Sequence, residues 1–362
     1  MLSALIVNYH CAVDTLACVA SLLADAPRTE VVVIDNSEDP DEVRSLRQGL
    51  AAGVRLLVNE HNLGFGAACN QGYAATSGEL VMLLNPDARA MPGCLAGLQS
   101  ALEADPGLGA VSPLQCWEQS GQWLLPPAWL PTGPGMCSME MAARSQRHAE
   151  RVSQAYRKLA LQVWADQAAV VRQRALSGGA MMVKRSAVDS AGGLFDPDYF
   201  MYYEDSDLCL RLKRCGWRLG LVPGARALHE WQHSGGKIAM MEASKHIYLD
   251  KHFKGQGSWE ERLARCMQKS APMAPWPCTH LDRLPSTLTV PPHWRNGWLL
   301  EISPSPLLVP AIGYLGTGPL AQLPAALMAR LGTGAITLRL GPPDAPVRDC
   351  ATWVSPAPAS AG

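Results

Sequence analysis

The amino-acid sequence predicts an α/β fold with a doubly wound parallel sheet. Apolar runs typical of buried strands alternate with helical patterns through the first hundred residues. Of the 362 residues, 48% are hydrophobic and 17% are charged, which suits a globular chain that buries a substantial core. Repeated β-α units of this kind favour parallel pairing of the strands.

The predicted elements follow in a regular order. They are a strand at 4–9, a helix at 15–26, a strand at 30–35, a helix from Pro40 to about Ala52, a strand at 54–59, part of a helix at 67–76 and a strand at 79–85. In doubly wound sheets, ligands bind beyond the carboxyl ends of the strands. Polar residues stand at three of these ends: Asp35 and Asn36, Asn59 and Asn62, and Asn85 with Asp87.

The pattern changes twice further along the chain. Over 116–176, a Trp/Pro-rich segment and a polar helical stretch predict an insertion on the active-site side or, equally, a surface loop with a packing helix. No lysine follows Lys269, and more than half of the 28 prolines follow Ser270, which indicates a boundary. We therefore predict one domain over 1–260 and a Pro-rich accessory region over 261–362. The accessory region is expected to be partly β, because "GWLLEI" and "GAITLRL" are typical of strands.

Charge and cysteine content exclude several classes of protein. The 31 basic and 32 acidic residues nearly cancel, so no global field attracts nucleic acid or an anionic membrane. The 11 scattered cysteines favour reduced thiols in a cytosolic protein over a disulfide framework or a zinc site. The first residues lack the basic region of a signal peptide, and the apolar stretch at 306–315 is too short to span a membrane. We expect a soluble, cytoplasmic protein.

Two acids at strand ends are candidate ligand-binding groups. The Asp35 carboxylate could accept a hydrogen bond from a base imide N–H, although an Asx-turn that starts the next helix is an alternative. Asp87 follows a buried strand, where an isolated carboxylate has reason to hold a cation or a donor. A turn made by Asn85, Pro86 and Asp87 that caps the strand is equally compatible with the sequence.

The segment "NLGFGAACNQG" (62–72) contains a glycine loop. It imitates a dinucleotide fingerprint poorly, because the third glycine is missing and the loop does not follow the first strand. A better interpretation is that Gly64 and Gly66 let the backbone approach a ligand, with Asn62 and Asn70 available for hydrogen bonds. Close packing of a helix on a strand is the alternative.

The stretch "MYYEDSDLCLRLKRCGW" (201–217) clusters three acids. Apolar residues at i, i+4 and i+7 predict a helix that begins at these acids, where the macrodipole favours negative charge. A helix terminus explains one acid or two, but three clustered carboxylates repel one another. The neighbouring aromatic residues would raise the pKa of a carboxylate, which suits a general base. Glu204, Asp205 and Asp207 are therefore candidate catalytic residues.

The stretch "ALHEWQHSGGK" (227–237) places His229 and His233 at the spacing of a helical metal pair. The order H-E-W-Q-H has the spacing of a zinc-protease motif, but the "SGG" that follows breaks the helix that this motif requires. A single histidine that assists an oxygen-bound divalent ion or a phosphate is the better interpretation.

Seven motifs occur together in a characteristic order: "IVNYH", "VVVIDNSEDP", "NEHNLGFGAACNQGY", "LLNPDA", "SGGAMMVKR", "GLFDPDYFMYYEDSDLCLRLKRCGW" and "ALHEWQHSGGK". Over about residues 2–253 the chain resembles the inverting glycosyltransferases of family 2, especially their rhamnosyltransferase-like branch. The resemblance implies the GT-A fold of nucleotide-diphospho-sugar transferases, with a central, mostly parallel sheet.

The resemblance also implies how a donor is bound. Asp35 would bind the nucleotide base, Asp87 would ligate Mg²⁺ or Mn²⁺ at the donor diphosphate, and His229 would complete the metal or diphosphate site. Asn85 stands at the first acidic position of the family's D-x-D motif, so fewer protein carboxylates are available to bind the metal. The residues implied to bind the nucleotide sugar are Asn8, Asp35, Asn36, Asn62, Gly64, Gly66, Asn70, Asn85, Asp87, Gly178 and Gly179.

For catalysis, the resemblance implies that Asp205 deprotonates the acceptor hydroxyl, with Glu204 and Asp207 orienting the base or the acceptor. The implied reaction is metal-assisted, inverting transfer of a sugar to a glycan or lipid-linked acceptor for cell-surface polysaccharide. L-rhamnose carried by dTDP is the expected donor. Nucleic acid is not an expected partner. Association with the inner face of the cell membrane and a homodimer stay open, and the accessory region is expected to serve dimerisation or acceptor contact.

Two other classes compete with this interpretation. A nucleotidyltransferase would need a glycine-rich basic loop after the first strand, which "VNYHCAVDT" does not supply. A catalytically degenerate protein that only binds sugar nucleotides or glycans would be expected to have lost Asp87, Asp205 or His229.

Overall fold

The computed structural model describes residues 1–230, 238–255, 261, 264, 277–331 and 334–356. Its first part alternates strand and helix: β1 Leu2–Asn8, α1 Ala12–Asp25, β2 Glu30–Asp35, α2 Pro40–Gly49, β3 Arg55–Val58, α3 Phe65–Ala75 and β4 Leu80–Leu84. These strands pair in the order β3-β2-β1-β4, and every pair is parallel. The β-α alternation predicted from the sequence is therefore confirmed here.

These strands form because apolar runs are covered on both faces of the sheet. All residues of β1 and of β4 are buried. Successive side chains of a strand point to opposite faces. Accordingly, Ala4 and Ile6 belong to the core that contains Leu22 of α1, whereas Leu5 belongs to the core that contains Ala68 of α3. One core therefore lies on each face of the sheet.

The chain after β4 continues the sheet with mixed strand directions. Its elements are β5 Ala88–Ala90, α4 Cys94–Ala104, β6 Leu108–Cys116, β7 Trp123–Leu124, α5 Gly133–Ala142, α6 Gln146–Ala165, β8 Val171–Gln173, β9 Ala180–Lys184, α7 Arg185–Ser190, α8 Glu204–Arg214, β10 Arg218–His229 and α9 Ile238–Phe253. β9 lies between β4 and β6 and runs antiparallel to both, while β10 runs parallel to β6. The predicted parallel arrangement thus holds for β1–β4 and for the β6–β10 pair.

The segment at 116–176 contains the two helices α5 and α6, which pack together. α6 forms because its apolar residues recur at helical spacing. Ala149, Tyr156, Ala160 and Val163 lie on its buried side. They share a core with residues of the C-terminal region, including Leu299. α6 therefore links the first part of the chain to the last.

The described part of residues 277–356 extends the same sheet and adds a separate two-stranded sheet. Its elements are β11 Thr279–His280, β12 Thr287–Thr289, β13 Trp298–Ser303, β14 Ile312–Gly316, β15 Leu320–Gln322, the short helix α10 Ala325–Met328, β16 Ala335–Gly341 and β17 Ala351–Pro356. In the separate sheet, β12 pairs with β15. The strands predicted at "GWLLEI" and "GAITLRL" are β13 and β16. β7 joins the two parts of the sheet, because it pairs with β6 and with β14. The domain boundary predicted at residue 260 stays a prediction, since it falls beside residues outside the described ranges.

A buried cluster of charged side chains fastens α6 to the C-terminal strands. The side chains of Arg157 on α6, Glu301 on β13 and Arg339 on β16 are fully buried. Arg157 Nη1 donates to Glu301 Oε2, and Arg339 donates to both carboxylate oxygens of Glu301 at 2.7 Å. Arg339 also donates to Ser153 Oγ on α6 at 2.7 Å. Removal of one partner from such a cluster leaves a buried charge uncompensated.

Several cysteines contribute to the packing rather than to surface chemistry. Cys18, Cys69, Cys94 and Cys209 are buried. Burial raises the pKa of the Cys94 thiol to about 12, so this side chain behaves as a small apolar group. Within the described ranges, no helix combines the length and the apolar character needed to cross a membrane.

Replacement of Glu301 tests the charged cluster. The Glu301→Gln substitution removes the negative charge between two buried guanidinium groups, so the free energy of unfolding should fall by about 3–5 kcal/mol. Glu242→Gln is the matched control, because Glu242 pairs with Lys245 and its side chain is 53% exposed. That change should cost under about 1 kcal/mol. Urea denaturation of both variants measures the difference, and equal losses would contradict the interpretation.

Candidate active site

One edge of the sheet collects most of the residues predicted to bind a ligand. The carboxyl ends of β1, β2, β4 and β10 lie at this edge, and the amino end of β9 reaches it because β9 runs antiparallel to β4. The residues brought to it are Asn8, Asp35, Asn85, Asp87, Gly178, Gly179 and His229. The expectation that a ligand binds at the strand ends is consistent with this arrangement.

Asp35 presents a carboxylate oxygen that still needs a donor. Oδ1 accepts hydrogen bonds from Asn8 Nδ2 at 2.7 Å and from Ser37 Oγ at 2.8 Å. Oδ2 is buried and has no partner among the residues that the structure describes. Asp35 also lines a surface cleft of about 660 Å³. Because buried polar atoms are nearly always hydrogen-bonded, this oxygen is suited to accept from an N–H of a ligand.

Asn8 holds Asp35 in position. Besides donating to Asp35, its amide nitrogen lies 3.0 Å from Ser37 Oγ and 2.9 Å from Glu42 Oε2. Its amide oxygen accepts from Thr15 Oγ1 at 2.7 Å. The Cys11 thiol also donates to this oxygen at 3.5 Å, so the side chain is engaged with five protein groups, and its role in binding a nucleotide sugar stays a prediction.

Asparagines connect the ends of β2 and β3 to the start of α3. Asn59 Nδ2 donates to Asn36 Oδ1 at 2.7 Å, and Asn36 Nδ2 lies 3.2 Å from Gly64 O. Gly64 N donates to Asn62 Oδ1 at 2.9 Å. These side chains, which the sequence placed at separate strand ends, therefore form one hydrogen-bonded group.

The glycine loop packs against the segment that precedes α8. Gly64 has φ +85°, and a Cβ at this position would lie 2.3 Å from Phe200 O. Phe65 N donates to that same oxygen at 2.8 Å. A Cβ on Gly66 would likewise lie 3.2 Å from Tyr199 O. These glycines allow a close approach between the start of α3 and the irregular segment at 199–200, which is not the packing of a helix on a strand, and their role in binding a nucleotide sugar stays a prediction.

The segment that precedes α8 is held by hydrogen bonds to Asn70 and contains two tyrosines with left-handed backbone. Asn70 Nδ2 donates to Phe195 O at 2.7 Å, and Phe195 N donates to Asn70 Oδ1 at 2.9 Å. Tyr202 and Tyr203 have φ +71° and +67° directly before Glu204. Left-handed backbone at non-glycine residues is costly and often occurs at functional sites. The aromatic segment is thus held firmly where the helix begins.

Glu204 and Asp205 form a coupled acidic pair at the start of α8. Asp205 Oδ2 accepts from Gly178 N at 3.0 Å, and Oδ1 accepts from Ser206 N at 2.6 Å. Glu204 is buried, and its Oε2 has no partner within the described part of the chain. Burial raises the pKa of both carboxyl groups, and the charge of Asp205 raises that of Glu204 further. Asp205 therefore combines a fixed orientation with the raised pKa that suits a general base.

Asp207 has a different environment. Its carboxylate accepts from Arg211 Nε at 2.6 Å and lies 2.6 Å from His252 Nε2. Arg214 Nη1 lies 2.9 Å from His252 Nδ1, so that nitrogen accepts and Nε2 donates to Asp207. Burial opposes ionisation, but the hydrogen bonds from His252 and Arg211 hold the pKa of Asp207 below its usual value. These bonds anchor α8, and a direct catalytic role for Asp207 stays a prediction.

His229, at the end of β10, lies beside Asp87, which follows β4, and a cation could bind between these two side chains. Its Nε2 lies 3.2 Å from Asp87 Oδ1, and its Nδ1 lies 2.7 Å from Gln115 Oε1. An amide oxygen can only accept, so Nδ1 carries the hydrogen and Nε2 faces the Asp87 carboxylate. Gln115 was not predicted from the sequence, although it is a polar residue at the end of the buried strand β6, which is the signal that marked Asp35.

Gly179 allows this arrangement. A Cβ added to it would lie 2.9 Å from His229 Cε1 and 3.0 Å from Asn85 Nδ2. Asn85 N donates to Gly179 O at 2.9 Å, which joins the turn before β9 to the end of β4. The absence of a side chain at residue 179 therefore sets how closely the imidazole approaches the sheet.

Asp87 and His229 fit a divalent cation that is shared with a substrate. Within the described residues, no group of three or more His, Cys, Asp or Glu side chains could hold a metal ion. Mg²⁺ often takes only one or two protein carboxylates and completes its shell with water and substrate phosphates. An oxygen and a nitrogen 3.2 Å apart, with the second ring nitrogen held by Gln115, suit such an open site. His233 lies outside the described residues.

A cavity of about 430 Å³ opens beside Asp205 and His229, and we call it the chamber. The cavity is lined by residues of β6, β8 and α6, by the loop at 125–129 and by the loop between β13 and β14. The residues that line this wall include Leu114, Leu125, Ala128, Trp129, Tyr156, Val163, Gln173, Leu221, Val309 and Pro310. Residues of the segment at 116–176 therefore line the cavity beside Asp205 and His229, and the interpretation of this segment as an insertion over an active site stays a prediction.

Comparison with known proteins identifies relatives. Residues 3–133 match the model of the family described as Glycosyl transferase family 2. The N-acetylglucosaminyl-diphospho-decaprenol L-rhamnosyltransferase of Mycobacterium tuberculosis is 30% identical over 275 residues, which cover 67% of this chain and 80% of that protein. Rhamnosyltransferase WbbL of Escherichia coli is 47% identical over 57 residues, which cover 16% of this chain and 21% of that protein.

Solved structures resemble the chain more distantly. GalNAc-T7 with UDP, GalNAc and Mn²⁺ aligns with a TM-score of 0.46 at 18% identity, over 74% of this chain and 56% of that one. The mannosyltransferase PcManGT from Pyrobaculum calidifontis, in complex with GDP-Man and Mn²⁺, aligns with a TM-score of 0.43 at 18% identity. That alignment covers 76% of this chain and 66% of the mannosyltransferase.

The Gly179→Ala substitution tests the cation site. The added methyl group must displace His229 or Asn85, so the affinity for Mn²⁺ in the presence of dTDP should fall about tenfold or more. Gly224→Ala is the control, because a Cβ there meets no atom within 4 Å. Isothermal titration calorimetry of both variants gives the comparison. Unchanged Mn²⁺ affinity in Gly179→Ala would remove His229 from the proposed ligands.

Proposed function

This chain belongs to glycosyl transferase family 2, and we propose that it transfers a sugar from a nucleotide-diphosphate donor to a hydroxyl of a glycan or lipid-linked acceptor with inversion. The proposed donor is dTDP-L-rhamnose, because the two curated relatives above are rhamnosyltransferases. The observation that carries the proposal is the placement of Asp205. Gly178 N–H fixes its carboxylate, and a Cβ on the adjacent Gly179 would lie 2.9 Å from Cε1 of His229, which lies beside Asp87.

In the proposed reaction, Asp205 removes the proton of the acceptor hydroxyl as its oxygen attacks the anomeric carbon. The bond from that carbon to the diphosphate oxygen breaks, and its electron pair leaves with the nucleotide diphosphate. Attack from the face opposite the leaving group inverts the anomeric configuration. The raised pKa of Asp205 supports this role, since a base is most effective when its pKa approaches the working pH.

The donor would lie along the edge of the sheet that contains Asp35 and Asp87. Asp35 Oδ2, which lacks a partner among described residues, would accept from the N–H of the nucleotide base. Asp87 and His229 would hold Mg²⁺ or Mn²⁺ at the diphosphate, with Gln115 orienting the imidazole. When bound, the cation supplies positive charge that stabilises the departing diphosphate.

The proposed place of this reaction is the cytoplasm. Buried thiols such as Cys18 and Cys69 suit a reducing compartment. The relative from Mycobacterium tuberculosis is named for a decaprenol-linked substrate. An acceptor of that kind would bring this protein to the inner face of the cell membrane.

Sugar-nucleotide turnover tests the proposed reaction. Release of nucleotide diphosphate from a panel that includes dTDP-L-rhamnose should occur with one donor and should stop when EDTA removes the cation. Asp205→Asn should lower the rate about 10²-fold or more, because the base is lost. Asp250→Asn is the control, since its side chain is 70% exposed. Nucleotide binding without turnover of any donor, even with candidate acceptors present, would favour the alternative of a protein that only binds sugar nucleotides.

The pH dependence of the reaction tests the acidic pair. Asp205 must be ionised to accept a proton, so kcat/KM should fall as the pH drops through its raised pKa, above the ordinary aspartate value of about 3.9. The pKa of Glu204 is raised to about 8, so this side chain is neutral while Asp205 titrates, and Glu204→Gln should leave the acid limb in place. The exposed Glu103→Gln should also leave the limb in place. An acid limb near pH 4 in the wild type would show that burial does not raise the pKa of Asp205 in the working enzyme.

A further inference from the structure

The residue that follows His229 is bound through three of its groups. Glu230 N donates to Asp87 O at 3.1 Å, and Glu230 O accepts from Trp117 Nε1 at 3.0 Å. Its carboxylate oxygen Oε1 lies 4.0 Å from Arg330 Nη2. Glu230 therefore joins the two residues proposed to hold the cation, because it follows one of them in the chain and is hydrogen-bonded to the main chain of the other.

Arg330 belongs to the C-terminal region and reaches this point from a short 3-10 helix at Ala329–Leu331. Besides facing Glu230, it donates from Nη1 to Trp117 O at 3.0 Å. The guanidinium thus contacts both members of the hydrogen bond between Trp117 and Glu230. Because a guanidinium presents several N–H donors in one rigid plane, two contacts of this kind set the distance between two chain segments.

Packing fixes the backbone from which Arg330 extends. Met328 and Leu331, on either side of it in the chain, are buried in the core that also contains Trp117 and Trp298. Side chains in such a core keep one arrangement, because protein interiors are close-packed. The core of the C-terminal region therefore determines where the guanidinium meets Glu230.

As an ion pair, the contact between Arg330 and Glu230 contributes little to stability. The two side chains are 29% and 34% exposed, and pairs of this kind stabilise a fold only slightly. A cation site is more sensitive, because the groups outside the ligand shell orient the ligands. The main effect of Arg330 is therefore expected on cation binding, with little effect on the free energy of unfolding.

We propose that Arg330 is a positioning residue for the cation site, through which the C-terminal region holds Glu230 and thereby the spacing of Asp87 and His229. In this arrangement Asp87 Oδ1 and His229 Nε2 lie 3.2 Å apart. The inference rests on the proposed function, because the cation is the one proposed to bind the donor diphosphate. Dimerisation and acceptor contact, which were expected of the C-terminal region, stay predictions.

Arg330→Met tests the proposal, because methionine keeps an unbranched side chain and removes the guanidinium. In protein saturated with dTDP, the affinity for Mn²⁺ should fall about three- to tenfold, which is less than the usual loss when a group bonded directly to a ligand is removed. Arg330→Lys keeps the charge and should recover part of the affinity. Isothermal titration calorimetry gives the values, and an unchanged or higher Mn²⁺ affinity in Arg330→Met would overturn the proposal.

Two controls separate positioning from a general change in charge or folding. Arg348→Met removes an arginine of the same region whose side chain is 70% exposed, and it should leave the Mn²⁺ affinity unchanged. In EDTA, Arg330→Met should bind dTDP as tightly as the wild type and should unfold at nearly the same urea concentration. Equal losses of Mn²⁺ affinity in Arg330→Met and Arg348→Met, or a lower affinity of Arg330→Met for dTDP in EDTA, would contradict a role specific to the cation site.

A matched pair of tryptophan variants tests the same contact from the other side. Trp117→Phe removes the indole N–H that donates to Glu230 O. Trp298 lies in the same core and donates to Gly318 O at 3.2 Å, so Trp298→Phe loses a comparable buried indole and its hydrogen bond. Trp117→Phe should lower the Mn²⁺ affinity and Trp298→Phe should not, and equal affinities would contradict the proposal. If Trp117→Phe does not fold, Arg330→Met still decides.

Turnover separates the two levels of inference. If the wild type releases nucleotide diphosphate from a sugar nucleotide, and Arg330→Met binds Mn²⁺ as tightly as the wild type, the role of Arg330 is overturned and the transferase function stands. If Arg330→Met loses Mn²⁺ affinity as expected, but the wild type turns over no sugar nucleotide, the role of Arg330 is supported and the proposed function is contradicted.

Discussion

The turn formed by Gly178 and Gly179 is the contact on which the site depends. Its first N–H fixes the carboxylate of Asp205, and its second residue has no side chain to keep His229 and Asn85 apart from the backbone. The turn leads directly into β9, which is hydrogen-bonded to β4 and β6. The sheet therefore sets the positions of Asp205, His229 and Asn85 through one rigid element, which is the precision that the proposed reaction would require.

The features that the sequence predicted well are those with a local signal. Buried strands are continuous apolar runs, and the polar residues that follow them, such as Asp35 and Asp87, lie together at one edge of the sheet as predicted, although their binding roles stay predictions. The acids Glu204 and Asp205 begin α8 as the helical spacing after them predicted. The family match and the order of strands confirm the α/β fold of GT-A type.

The features that the sequence could not predict depend on contacts between distant parts of the chain. Gln173 resembles any polar residue of a short strand until its neighbours are known, and β7 has only two residues, although it joins the two parts of the sheet. Arg157 looked like an ordinary charge on a polar helix. Its partner Glu301 lies 144 positions away, and no local pattern indicates that both are buried.

The cluster around Glu301 also connects the C-terminal region to the wall of the chamber. Arg157 lies on α6, six residues before Val163, so the contact that docks β13 and β16 on α6 also supports the chamber wall. The cores beneath β1–β4 contain none of these residues. Loss of the cluster would therefore loosen the chamber wall before the edge of the sheet that holds Asp35.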